Sequence, residues 1–327
     1  MGAIHEYFCS PEAILIVAIN DDYQFVLFSR NRVDFDAELI FVHHSSVVAS
    51  SDRFENKQTM GDLPKFALDY IDEIVKKEGF LDHQIEVEPA SKHGDNFLGI
   101  VSRVIVRGTR LIDGKATEDR LDLICKLPPD NAARRQEFRS SEFFTREAFA
   151  YNVFLPTIVD FQNERGLSET EGFFSFPKCY KAEANEETDQ FVVIMEDLGQ
   201  KGFIMWPKAK PVPYEQSRLI FVELGKLHGV SYALKDQKPE VFAKFRKLDD
   251  LFKIFLENEN MHQLFGMGYD RAIGALKSER DIEAMTDVKE NFVEKFFKCS
   301  QADDFGIVGH GDCWTNNILC HYENGVS

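Results

Sequence analysis

The residues whose spacing carries the most chemistry lie near the C-terminal end, in His310-Gly311-Asp312-Cys313-Trp314-Thr315-Asn316-Asn317. An Asp followed five residues on by an Asn, with Ile307-Val308 read as a short apolar strand before it and Ile318-Leu319 after it, is an arrangement for phosphoryl transfer. The carboxylate can accept the proton of an attacking hydroxyl, and the Asn amide oxygen can hold a Mg²⁺ that bridges nucleotide phosphates. A base, a metal ligand and apolar anchors on both flanks together weigh far more than His-Gly-Asp alone. His310 itself reads as a structural residue that fixes the loop by hydrogen bonds, and Trp314 as loop packing. A second metal-binding carboxylate is expected further along a chain of this kind, and the sequence reaches Ser327 without one.

Nucleotide phosphates need a cation, and Lys126 is the best candidate. On the strand Leu121–Lys126, side chains of Leu121, Leu123 and Cys125 face one way and those of Asp122, Ile124 and Lys126 the other. A strand-end lysine alone reads as surface. Its significance rises because Glu147 falls mid-helix between Phe144 and Tyr151, on the face expected to be buried. An unpaired carboxylate there is costly, and an ion pair with Lys126 both removes that cost and aims the lysine at phosphate. Backbone amides around Asn96, in Gly94-Asp95-Asn96-Phe97-Leu98-Gly99, can cover phosphates, with a plain hairpin turn as the alternative. Met195-Glu196-Asp197-Leu198 closes a buried strand and fits an interlobe hinge whose main chain binds adenine, a helix-capping turn being the alternative. His228, on the apolar face of a helix over Glu215–Leu234, reads as a satisfied core histidine, with catalysis as the alternative.

These groups need elements to hold them. Residues 14–19, 25–28 and 39–42 read as strands in a segment, 1–61, that carries no chemistry. A helix follows from Asp62 as cap and Pro64 in the first turn to Gly79, with Lys76 and Lys77 at its end. Extended chain is expected over Asn96–Arg107 and Arg120–Lys126, around the turn Asp113-Gly114. A long helix covers Gln136–Leu155 and ends at Pro156; Gln190–Met195 is a buried strand; helices cover Glu215–Leu234, Asp249–Phe265 and Asp281–Phe297. Strands cluster before Leu198 and helices after it, the signature of an α+β protein with two lobes.

Composition narrows the function further. The net charge of −17 argues against nucleic acid or anionic lipid as partners, since both need a cationic face. The longest N-terminal apolar run, Ala13–Ile19, is too short to span a bilayer, and Glu6 and Glu12 stand where a signal peptide would be basic. Six cysteines lack a framework spacing, so a reducing, cytoplasmic setting is expected, and Cys313, Cys320 and His321 are poorly spaced for zinc. Phenylalanine, 30 of 327 residues, indicates an aromatic-rich core first, with an apolar substrate pocket as the sharper alternative that the count alone does not separate from it.

Beyond these inferences, HGDCWTNN with ILCHY, VVIMEDLGQKGF, ELGKLHGVSYALKDQ and FFTREAFAYNVFLP resemble the CHK-kinase-like, or ecdysteroid-kinase-like, proteins of insects, which are distantly similar to choline kinases and aminoglycoside phosphotransferases. The resemblance covers about residues 62–327. It implies a protein-kinase-like two-lobed fold and phosphorylation of a small-molecule alcohol with ATP and Mg²⁺. Carried over by position, Asp312 is the base, Asn317 a Mg²⁺ ligand, Lys126 the holder of the α- and β-phosphates, Glu147 its partner, and Met195–Leu198, including Glu196, the adenine hinge. The expected division is an N-terminal extension over 1–61, an N-lobe with hinge over 62–198, and a truncated helical C-lobe over 199–327. Relatives continue into a strand with a metal-binding Asp and further helices, so impaired turnover is expected of this chain. The alternative is a non-catalytic pseudokinase that binds a nucleotide or a small lipophile.

Overall fold

The computed structural model describes residues 15–19, 24–28, 63–90, 99–137, 139–207, 210–248, 259–295 and 305–322. The chain divides into two compact units, Met1–Glu55 with Asp250–Gln301, and Asn56–Asp249 with Ala302–Ser327. In the first unit, β1 (Leu15–Ile19) and β2 (Gln24–Phe28) pair antiparallel, with Leu15 opposite Phe28. Its helices Glu259–Ala275 and Glu279–Glu290 flank a cluster of Tyr269, Val288 and Phe292. The strand expected over 39–42, and most of the helix expected from Asp249, lie outside the described residues.

The second unit is built on an antiparallel sheet of five strands: β3 (Phe80–Pro89), β4 (Ile100–Ile112), β5 (Lys115–Leu127), β6 (Cys179–Asn185) and β7 (Gln190–Glu196). Their spatial order is β3-β4-β5-β7-β6. The alternation on β5 divides its residues as side-chain geometry requires. Leu123, Cys125 and Leu127 join Val104, Val106, Val192 and Ile194 beneath α1 (Lys65–Lys77), which contributes Ala67, Ile71, Ile74 and Val75. Ile124 lies on the opposite face with Val193, Met195 and Phe191, packed by Phe144 and Ala148 of α3 (Ser140–Phe149), which follows the short helix α2 (Ala132–Glu137). α1 begins after Pro64 with no side-chain cap; Asp62 lies outside the described residues.

The hairpin β4–β5 is longer than the apolar pattern indicates, because pairing continues to Ile112 opposite Lys115 around Asp113-Gly114. The distal part of β5 (Lys115, Thr117, Glu118) is polar and exposed, so it carries no alternation to read.

The expected helix end at Pro156 is incorrect. α3 passes through a π-helical turn, Ala150–Phe154, into α4 (Leu155–Asn163), with Pro156 in the first turn of α4. Pro lacks an N–H and its ring crowds the carbonyl four residues back. The wide turn, in which Leu155 N–H bonds to Ala150 O, adds one residue just before Pro156 and relieves that crowding. Further on, α5 (Tyr214–Gln237) buries Leu227, Val230 and Leu234 against Phe154, Ile158, Phe161 and Phe173.

Gln162 of α4 is fully buried and spans the backbone of Phe173, donating from Nε2 to its carbonyl at 3.0 Å and accepting its N–H at 2.6 Å. Replacing Gln162 by Leu leaves both groups buried and unpaired, an expected cost of about 2–4 kcal/mol in urea unfolding. A loss below about 0.5 kcal/mol would mean that the 167–176 loop satisfies them otherwise.

Candidate active site

Lys126 stands on β5 opposite Val101 of β4 and Val193 of β7, on the sheet face that α3 covers. Glu147 lies on α3 one residue before Ala148, which packs into that face. Lys126 Nζ donates to Glu147 Oε1 at 2.7 Å. The carboxylate is not buried as its helical position suggests: the side chains are 31% and 30% exposed. Partial exposure of this kind limits the net stabilisation from the pair to about 0–1 kcal/mol. The contact therefore does little to hold the fold. What it does is fix where the ammonium points.

The His310 loop is held from α5. Ile307-Val308 is not a strand; with no ladder partner, Val308 N–H donates to the buried Ser231 Oγ at 2.8 Å, and Gly306 O accepts Lys235 Nζ at 2.8 Å. Gly311 turns the chain with φ +79, a conformation open to glycine, and Asp312 N–H then reaches back to His310 Nδ1 at 3.2 Å. Thr315–Asn317 forms one 3-10 turn. From it the Asn317 amide nitrogen donates to Asp312 O at 2.9 Å and to Asp312 Oδ2 at 2.6 Å. With the nitrogen committed twice to Asp312, the amide oxygen is the atom of Asn317 left to meet a cation. β9 (Leu319–His321) follows directly and pairs with β8 (Phe203–Met205).

His310 links the two groups of residues. Its edge is open to solvent, yet enough protein surrounds the ring that loss of solvation lowers its pKa below the ordinary 6.5. Asp312 and Glu147 pull the pKa up and Lys126 pushes it down, so one imidazole feels the loop carboxylate and both members of the ion pair. Accepting at Nδ1 leaves the proton of the neutral ring on Nε2. A lowered pKa means that the folded protein resists protonation of this ring. Stability is therefore complete above the ordinary value and declines as pH falls below 6.5 through the folded pKa. His228, exposed but with part of its solvation lost to neighbouring protein, is lowered too and adds a slope of the same sign. His310→Asn is expected to flatten part of the acid-side slope of the urea midpoint; an unchanged slope would show that His310 titrates as in the unfolded chain.

His228 is not the core residue its place on α5 suggests. It is exposed, and its Nε2 lies 3.7 Å from where a side chain on Gly309 would begin, alongside the loop.

Met195 is buried against Phe144 and Ala148, and Tyr151 Oη donates to its Sδ at 3.8 Å. Burial pushes the Tyr151 hydroxyl far above its usual range, so it remains a donor. Glu196 Oε1 accepts Lys178 N–H at 2.8 Å and the carboxylate pairs with Lys201, so its side chain is committed locally. Asp197 caps the 3-10 turn Leu198–Lys201 by accepting Gly199 N–H at 2.9 Å. The capping turn is thus real, and it occurs at the end of β7 where the hinge is expected. Asn96 and the surrounding turn, 91–98, lie outside the described residues.

A model of the ecdysteroid kinase-like family matches residues 93–326, a span that holds the ion pair, the β7 exit and the His310 loop. The chain belongs to the ecdysteroid kinase-like family. Membership implies a kinase-like fold, in agreement with the α+β order of five-stranded sheet and following helices, and phosphotransferase chemistry with ATP and a small-molecule acceptor. No curated protein and no solved structure gives a match.

In this ecdysteroid kinase-like protein, no group of three or more His, Cys, Asp and Glu side chains is arranged around a metal position among the described residues. Asp312 and Asn317 offer two oxygen-bearing side chains in contact. That pair of oxygen donors would suit Mg²⁺, a hard cation that takes oxygen ligands and would there neutralise phosphate charge. No helix among the described residues is long and apolar enough to cross a membrane. Sequence reasoning overlooked Ser231, whose buried hydroxyl holds the loop. It also overlooked Arg103, a half-buried charge between the buried Ser102 and Val104.

Proposed function

We propose that this protein transfers the γ-phosphoryl group of ATP to the hydroxyl of a small molecule, an ecdysteroid-like sterol or another alcohol. The observation that carries the reading is the contact within the His310 loop, where Asn317 Nδ2 donates to Asp312 Oδ2 at 2.6 Å, in a chain whose family match spans both that loop and the Lys126–Glu147 ion pair. Asp312 accepts the proton of the attacking hydroxyl, and Lys126, aimed by Glu147, holds the α- and β-phosphates. The main chain of Met195, Glu196 and Leu198 meets the adenine, and Asn96, outside the described residues, is assigned to the phosphates. Mg²⁺ held at Asn317 Oδ1 neutralises charge on the phosphates when bound. In this reading 62–198 is the N-lobe with its hinge, 199–327 the helical C-lobe and 1–61 an extension. The scattered thiols support a reducing, cytoplasmic setting.

A non-catalytic nucleotide-binding role is the second reading. It is favoured by Asp312 Oδ2 being held by the Asn317 amide. ADP release from Mg·ATP with a panel of sterol alcohols, amino alcohols and xenobiotic alcohols separates the two. Acceptor-dependent release supports the kinase. Tight Mg·ATP binding with no release on any acceptor supports the second reading.

A further inference from the structure

The exit from β7 is fixed through one carboxylate. Asp197 is 4% exposed at its side chain, and Arg103 of β4 donates from Nε to its Oδ2 at 2.6 Å. The other oxygen, Oδ1, accepts Gly199 N–H at 2.9 Å, and Asp197 N–H donates to Asp122 O of β5 at 3.1 Å. Gly199 leaves room for this arrangement: a side-chain carbon there would fall 2.9 Å from Asp197 Oδ1 and 3.7 Å from Arg103 Nη2. Arg103 therefore lies against the turn that follows Met195 and Glu196.

The origin of that guanidinium matters as much as its destination. Arg103 is opposite Ile124 on β5, which is opposite Met195 on β7, so the three share one row across the Lys126 side of the sheet. One side chain thus ties β4 to the segment expected to meet adenine. An arginine suits this task because its planar group holds a fixed direction, whereas an ammonium on a flexible stem does not.

We infer that Arg103 is a positioning residue for the nucleotide: through Asp197 it sets the hinge relative to β4, and so sets affinity for ATP. The inference rests on the proposed kinase reading. The Arg103–Asp197 pair acts before chemistry, by holding the main chain that meets adenine in place against β4. Its loss therefore falls on binding and spares the proton transfer at Asp312.

The test uses the full chain, Mg²⁺ and an ATP analogue labelled on the ribose with a fluorophore. Arg103→Met is expected to raise the dissociation constant about tenfold or more, the effect of losing a charge-assisted hydrogen bond. Arg103→Lys is expected to recover part of that loss. Asp197→Asn keeps an acceptor for Gly199 N–H while losing the charge, and is expected to weaken binding in the same direction; it carries the test if Arg103→Met does not fold. In turnover, KM for ATP should rise more than kcat falls. Variants whose labelled-nucleotide affinity stays within about twofold of the parent, whatever their melting temperature, would overturn the inference alone. A parent protein that binds no labelled nucleotide would overturn the kinase reading and this inference with it.

Discussion

Asp312→Asn is expected to lower turnover by about 10²–10⁴-fold, the range of a lost general base, while Mg·ATP affinity stays within about threefold. The substitution is close to isosteric. The new amide oxygen can still accept from Asn317 Nδ2, and the backbone contacts to His310 Nδ1 and from Asn317 to the 312 carbonyl are untouched. What disappears is a group able to take a proton. Any fall in rate therefore reports chemistry and not a collapsed loop. Asn317→Ala makes an informative contrast, since it removes the amide that orients Asp312 together with the oxygen assigned to Mg²⁺, so its loss should diminish as Mg²⁺ is raised. Turnover of Asp312→Asn within about threefold of the parent would remove Asp312 from the base role.

Lys126→Met is expected to lower kcat/KM for ATP about 10- to 100-fold, the effect of one or two charge-assisted hydrogen bonds to phosphate. The accompanying change in stability should be below about 1 kcal/mol, because both partners of the ion pair are about a third exposed. Activity and stability should thus separate, as they would not for a lysine that only braces α3. Glu147→Gln leaves the ammonium in place but unaimed, and should cost less, about fivefold to tenfold. The two changes should not multiply: with Lys126 already gone, Glu147 has nothing to direct, so the double variant should match Lys126→Met. A double variant whose loss equals the product of the singles would mean that the residues act independently, and the aiming role of Glu147 would fall.

The parts of this arrangement that were legible in the sequence share a physical origin. β4, β5 and β7 are central strands with buried apolar rows, so their alternation could be read and the side of the sheet bearing Lys126 followed from it. The two strands of the five-stranded sheet that escaped notice, Phe80–Pro89 and Cys179–Asn185, are its edges. Edge strands are half solvated; Asp82, His83, Glu86 and Glu88 interrupt one, and Lys181, Glu183 and two alanines make the other look unlike a strand. Pro156 misled because a π turn, a backbone adjustment without a local signature, carries the helix past it.

Ile307-Val308 has the apolar character of a strand but finds its partner in a serine of α5. Glu147 was assigned to the right face and the wrong depth, since helical periodicity gives direction and not distance from solvent. The Arg103–Asp197 contact joins residues 94 apart, and a pairing at that separation leaves no pattern in the linear sequence. The His310 loop, by contrast, is short-range chemistry. Its base, amide and turn lie within eight consecutive residues, which is why the motif was readable before any fold was known.

The central claim is that the His310 loop, with Asp312 as base and Lys126 on the phosphates, passes a phosphoryl group from ATP to an alcohol. The most direct measurement is transfer of label from γ-labelled ATP, with Mg²⁺, to a pool of sterol and other small alcohols, followed in the parent protein and in Asp312→Asn. The account predicts labelled phosphate ester with the parent and a deep loss with the variant. Label that reaches no acceptor from a parent that binds Mg·ATP, or that reaches it equally from both proteins, would contradict it.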